Sequence, residues 1–281
     1  MQEKNPNTDS TTTPTSDFNK QQTIKAVFFD IDGTLISFNT RTIPESAVLA
    51  IQKLQEQGIR VIVATGRSIQ AVTPIRHLGF DGYVTFNGSA CYDKDGNQLS
   101  RYTISPDSIS RLLHYTENRE INFVLMYENT VAVNLVTPEI IASQTKLKLP
   151  VPPVLDRTNP DIGNVLQANV FIGPEEEAAF MQTVMPDCVA ARWTPLFADV
   201  NPAGISKKIG LELFCSYFGL DVSETMAFGD GGNDITMLQY AGIGVAMGNA
   251  GANVKSAADY ITTDADEDGI WKALEYFGVI E

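Results

Sequence analysis

Over its first third after residue 22, the chain alternates short apolar runs with longer amphipathic ones. Residues 26–29 (AVFF) and 59–64 (IRVIVA) are nearly continuous apolar stretches of strand length, the pattern of strands buried on both faces. Between them Ala47, Val48, Ile51 and Leu54 recur at helical spacing. Residues 42–45 have capping-box spacing with Pro44 in the first turn, and Gly58 marks the stop. Strand, helix, strand at this spacing predicts a βαβ unit with parallel strands and a right-handed crossover. A helix over 68–78 and a short strand over 83–86 follow.

The same rhythm returns late in the chain. Ile205, Ile209, Leu213 and Tyr217 form an i, i+4 stripe that predicts a helix over 204–218, with Lys207 and Lys208 near its start. Strands are predicted over 225–228, 243–246 and 259–262, and helices over 234–240, 250–256 and 269–277. Residues 88–199 read differently: alternating strands, a hairpin signal at Asp95-Gly96, amphipathic helices over 107–117 and 174–184, and a Pro-rich segment at 149–153. That texture predicts an α+β domain inserted into an α/β one. The expected division is a disordered tail over 1–22, a core of 23–87 plus 200–281, and the insert over 88–199.

Composition narrows the classes. In 281 residues the formal charge is −14 and the pI about 4.5. This argues against nucleic-acid or anionic-membrane surfaces, which need basic patches. An anionic substrate would then require local positive charge. Cys91, Cys188 and Cys215 form no CxxC pair, and the only histidines are His77 and His114, so a zinc site and a disulfide framework are not expected. Residues 1–22 lack the apolar region of a secretory signal, and no apolar run is long enough to span a membrane. A cytoplasmic monomer without protein partner is the expectation.

The candidate chemistry sits where strands end. Parallel strands place the turns after residues 29, 64 and 228 on one sheet edge, where open α/β sheets bind ligands. Those turns carry Asp30 and Asp32, Thr65 and Gly66, and Asp230, Asn233 and Asp234, with Lys207 at a nearby helix start. Two carboxylates at i and i+2 on a strand point the same way and repel unless a cation or shared proton compensates. An EF-hand is excluded: position six is Leu35 or Ile235, and position twelve Arg41 or Ala241. No GxxxxGK[ST] occurs either. Hard oxygen ligands without histidine or thiolate point to magnesium, and a hydroxyl, a lysine and helix N-termini suit a phosphate.

These motifs resemble the haloacid dehalogenase superfamily of phosphatases. Asp30-Ile31-Asp32-Gly33-Thr34 is similar to its first motif, Thr65-Gly66-Arg67 to its second, Lys207 to its third, and Gly229-Asp230-Gly231-Gly232-Asn233-Asp234 to its fourth. An insert between the second and third motifs resembles the Cof-type sugar-phosphate phosphatases of subclass IIB, with a Rossmann-like parallel-sheet core and an α+β cap. The resemblance implies a phosphate-monoester substrate, hexose phosphates foremost, with Asp30 as nucleophile and Asp32 as general acid/base. It implies Mg²⁺ on Asp30, Asp230 and the main-chain carbonyl of Asp32, with Asp234 orienting its waters. Thr65, Gly66, Lys207, Asn233 and the amide of Ile31 would hold the phosphoryl oxygens, while Arg67 contacts substrate or pairs with an acidic side chain. Two alternatives stay open at this point: a phosphomutase, and a phospho-accepting regulatory module.

Overall fold

A computed structural model describes residues 23–147, 150–192 and 194–281. The expected tail over 1–22 lies outside the described residues, as does Trp193. In chain order the first elements are β1 (Ala26–Phe29), α1 (Glu45–Glu56), β2 (Arg60–Ala64), α2 (Ile69–Val72), β3 (Gly82–Thr85), β4 (Ala90–Asp93) and β5 (Gln98–Arg101). Next come α3 (Pro106–Tyr115), β6 (Asn122–Met126), β7 (Val131–Val133), α4 (Pro138–Leu147), β8 (Gln167–Phe171), α5 (Pro174–Thr183), β9 (Cys188–Ala191) and β10 (Ala198–Pro202). The last are α6 (Lys207–Phe218), β11 (Thr225–Gly229), α7 (Ile235–Tyr240), β12 (Ile243–Ala246), α8 (Ala252–Lys255), β13 (Tyr260–Ile261) and α9 (Gly269–Tyr276).

An eight-stranded sheet runs β13-β12-β11-β1-β2-β3-β4-β5, parallel from β13 to β3. β1 lies between β2 and β11, and all four of its residues are buried, which is why its sequence does not alternate. Val27 and Phe29 pack under α1 and α9; Ala26 and Phe28 pack under α6 and α7. The parallel α/β fold class expected from the βα rhythm is observed. Among the described residues no helix is long and apolar enough to cross a membrane.

Four expectations change in detail. The hairpin β4–β5 pairs antiparallel onto β3, so residues 90–101 extend the core sheet although the insert was expected from residue 88. The four-residue link over 86–89 is too short for a parallel crossover, so the chain can only fold back beside β3. β10 likewise carries the second sheet on to Pro202. Pro44, not Thr42, is the N-cap of α1, without a side-chain cap bond. On α6 the buried face is Lys207, Gly210, Leu211 and Phe214, while Tyr217 stays exposed. The close approach of Gly210 to Val84 turns this face toward the sheet, and the turn carries Lys207 inward.

A second, five-stranded sheet has the order β7-β6-β8-β10-β9 and is antiparallel throughout. α3 and α5 cover one face through Ile109, Leu112 and Phe180. The chain leaves the first sheet after β5 and returns to it after β10. In the link between β3 and β4, Phe86, Asn87 and Gly88 all have positive φ, at 49°, 54° and 105°. A Cβ on Gly88 would stand 2.2 Å from the Ser206 carbonyl oxygen, so this link touches the returning segment and only glycine fits.

Candidate active site

β1 ends at Phe29 and delivers Asp30, 5% exposed, to the carboxyl edge of the first sheet. The ammonium of Lys207, fully buried, donates to Asp30 Oδ1 at 2.5 Å and to Asp234 Oδ1 at 2.6 Å. Asp234 Oδ2 accepts from the backbone N–H groups of Asp230 (3.0 Å) and Gly231 (2.8 Å), so this carboxylate holds the whole turn after β11. Asp230 is itself held by the Thr34 hydroxyl at 3.0 Å and the Asn249 amide at 3.2 Å. Oxygens of Asp30, Asp230 and Asp234 lie within 4.8 Å of one another.

Burial and the neighbouring Asp234 push Asp30 up to about 7, against the pull of Lys207. Burial, then Asp30 and Asp234, push Asp230 up to about 8. Burial alone would lower the Lys207 ammonium, but Asp234 and Asp30 outweigh it and its pKa is raised. One lysine thus faces three carboxylates, and a divalent cation among their oxygens would relieve the remaining repulsion. The donor set is all oxygen, and it fits such a cation. The carboxylate of Asp32 stands outside this group.

Asp32 lines the same cavity as Asp30, as the i, i+2 spacing predicted, although the strand has already ended and residues 31–36 form a turn. Its carboxylate is gripped by Arg67, Nε to Oδ2 at 2.7 Å and Nη2 to Oδ1 at 2.5 Å. Of the two roles open for Arg67, the structure contains the acidic partner. Thr65 accepts from the Arg67 N–H at 3.1 Å. Thr65, Gly66 and Asn233 line a cavity over Asp30, whereas Lys207 lies beneath Asp30 and is not in its wall. Lys208 pairs with Glu212 at the surface.

Residues 27–274 match the haloacid dehalogenase-like hydrolases. The chain belongs to that family. It is similar to YkrA of Bacillus subtilis, 34% identical over 92% of this chain and 99% of that protein. It is also similar to the 5-amino-6-(5-phospho-D-ribitylamino)uracil phosphatase YcsE of the same organism, 30% identical over 90% of this chain and 96% of that one. Among solved structures, the subclass IIB sugar phosphatase BT4131 superposes with a TM-score of 0.85 at 37% identity, covering 91% of this chain and all of that one. This protein is accordingly a phosphatase of the Cof type, a family that generally uses a divalent metal.

In this haloacid dehalogenase-like phosphatase the second sheet supplies the roof of the cavity, which encloses 960 Å³. Asn87 joins the two sheets. It accepts from the Asn233 amide at 3.0 Å and donates at 3.0 Å to both Gln167 and Asp199. At the residue adjacent to Asn233, the backbone oxygen of Arg192 comes so near Gly232 that a Cβ there would stand 2.4 Å from it. The cap therefore rests directly on the fourth motif. Sequence reasoning missed Asn249, Gln167, Asn169 and Asp199. Asn249 sits in a Gly-Asn turn without periodicity, and a lone amide in a strand is indistinguishable from a solvent-facing residue until the sheet is placed.

Proposed function

We propose that this phosphatase hydrolyses small phosphate monoesters, sugar phosphates and hexose phosphates foremost, through an aspartyl-phosphate on Asp30 with Mg²⁺ as the cation. One observation carries the proposal. Lys207 occupies Oδ1 of Asp30, while Oδ2 takes no hydrogen bond among the described residues and Asp30 lines the cavity. A carboxylate oxygen fixed at a cavity floor suits in-line attack on phosphorus, and a bound cation would favour its ionised form.

In the first step Asp30 forms the new O–P bond while the alcohol oxygen leaves, taking a proton from Asp32. In the second, Asp32 accepts a proton from water, whose oxygen attacks phosphorus and displaces Asp30 as inorganic phosphate departs. Arg67 fixes the rotamer of Asp32 between the two steps. Thr65, Gly66, Asn233 and the Ile31 amide surround the phosphoryl oxygens, and Lys207 holds Asp30 and Asp234 in register. Asp30, Asp230 and the Asp32 main-chain carbonyl would hold Mg²⁺, with Asp234 ordering its surroundings. When bound, the ion neutralises phosphoryl charge that these carboxylates would otherwise repel. Cys91, Cys188 and Cys215 are unpaired, and on that ground we place the protein in a reducing, cytoplasmic setting. All groups used come from one chain, so a monomer suffices.

The test is phosphate release with Mg²⁺ across sugar phosphates, nucleotides and an aryl phosphate, run beside Asp30→Asn. Turnover concentrated on hexose phosphates and absent from the variant is the expected result. A variant that still turns over would remove the aspartyl-phosphate scheme.

A further inference from the structure

A primary amide offers an oxygen at one corner and a pair of N–H groups at the other, with nearly the same shape either way round. Which corner meets a neighbour is decided by the hydrogen-bond partners. Asn233 lines the cavity over Asp30, and it serves a phosphate only by presenting an N–H. Its oxygen would face phosphoryl oxygens and repel them. A half-buried amide in this position needs a partner that fixes its direction.

Asn87 is that partner, and the second sheet sets its polarity. Asp199 of β10 accepts on both carboxylate oxygens, Oδ1 from the Asn169 amide at 2.5 Å and Oδ2 from the Asn87 amide at 3.0 Å. An ionised carboxylate has no hydrogen to give. Gln167 Oε1 accepts from the same Asn87 nitrogen at 3.0 Å and from Asn201 at 3.4 Å. Both hydrogens of the Asn87 amide are thus drawn to the second sheet. Its oxygen is left facing Asn233, whose nitrogen donates to it at 3.0 Å. That takes one N–H of Asn233 and leaves the other for the cavity.

Asn87 is 3% exposed and is not in the cavity wall, so it does not touch substrate. It is held at a φ of 54°, a left-handed conformation that asparagine tolerates better than most residues. Its backbone N–H donates to the Thr65 carbonyl at 2.9 Å. A Cβ on Gly66 would stand 3.2 Å from Asp199 Oδ2 and 3.3 Å from both ends of the Asn87 amide. The hydrogen bond between Asn87 and Asp199 therefore lies against the second motif as well as behind the fourth.

We propose that Asp199 and Asn87 are positioning residues for phosphate binding: the carboxylate from the second sheet orients the Asn87 amide, and Asn87 holds the Asn233 N–H toward the phosphoryl group. The inference rests on the reading of Asn233 as a phosphate ligand and adds what keeps that ligand the right way round.

Inorganic phosphate tests it, because this anion fills the phosphoryl site without a sugar to touch the second sheet. Its Ki against an aryl phosphate, with Mg²⁺, is measured in wild type, Asn87→Gly and Asp199→Asn, and with each change added to Asn233→Ala. Glycine suits the backbone at residue 87. In both single variants Ki should rise about tenfold, the lower end for a hydrogen bond to a charged group. For Asp199→Asn the sign is decisive, since losing a negative charge would by itself tighten anion binding. In the Asn233→Ala background neither change should add anything. An unchanged or lower Ki in either single variant overturns the inference; direct contact of Asp199 with the sugar would give that result. A rise that persists in the Asn233→Ala background also overturns it, because a general structural loss does not depend on Asn233. If Asn233→Ala alone leaves Ki unchanged, the phosphate reading of Asn233 fails and the inference with it, whereas Asp30→Asn tests the nucleophile separately.

Discussion

Replacing Lys207 with methionine isolates the electrostatic centre of the site. Methionine keeps the length and apolar stem but leaves Asp30 Oδ1 and Asp234 Oδ1 without their shared donor. Asp30 is already pushed up to about 7, so the new penalty falls mainly on Asp234, which is fully buried. Removing one partner of a buried ion pair typically costs about 3–5 kcal/mol, because the remaining charge is left uncompensated. Urea unfolding of metal-free wild type and Lys207→Met at pH 7 measures the difference. Adding Asp234→Asn to the variant removes that stranded charge and should recover part of the loss. A destabilisation below about 1 kcal/mol, or one that Asp234→Asn leaves unrelieved, would refute the reasoning.

Asp30 and Asp230, pushed up to about 7 and about 8, stabilise the metal-free fold in their protonated form. That contribution is complete below about pH 4 and is lost as pH rises through 7 and 8. The melting temperature should therefore fall across that range, with Mg²⁺ restoring most of the loss at pH 8; a flat profile, or no response to Mg²⁺, counts against this acidic group as the cation site. Gly232→Ala should force the cap off the fourth motif, because the added Cβ meets a backbone oxygen. We expect kcat/KM to drop while the unfolding midpoint barely moves, and unchanged kinetics would show that the contact is dispensable. Asn87→Ala removes three hydrogen bonds and leaves alanine at a φ of 54°. Its cost should be about 2–4 kcal/mol, readable by thermal unfolding, and a neutral result would mean the bridge carries no strain.

Much of the core was legible because each functional turn follows a strand buried on both faces. Such strands announce themselves as apolar runs, and parallel βα units leave only one edge for the turns between them. Asp30, Thr65 and Asp230 were placed in this way. The extent of the insert was less legible: β4 and β5 have the alternating texture of the second sheet, yet a short link makes them partners of β3. Helical spacing also allowed two readings of α6. Only the close contact of Gly210 with the sheet selects the face that buries Lys207.

The sequence by itself determined the order of elements, the chemistry available at the strand ends, and the absence of the EF-hand and P-loop patterns, since all of these depend on local spacing. Tertiary structure decided what those groups are bonded to. Arg67 grips Asp32, Lys207 lies beneath Asp30 and not in the cavity wall, and Asn87 ties Asn233 to Gln167 and Asp199. Each of these contacts joins residues from 35 to 177 positions apart. Local propensity has no term for such distances. They follow from sheet order, strand register and the rotation of one helix, and these emerge only when both cores are packed.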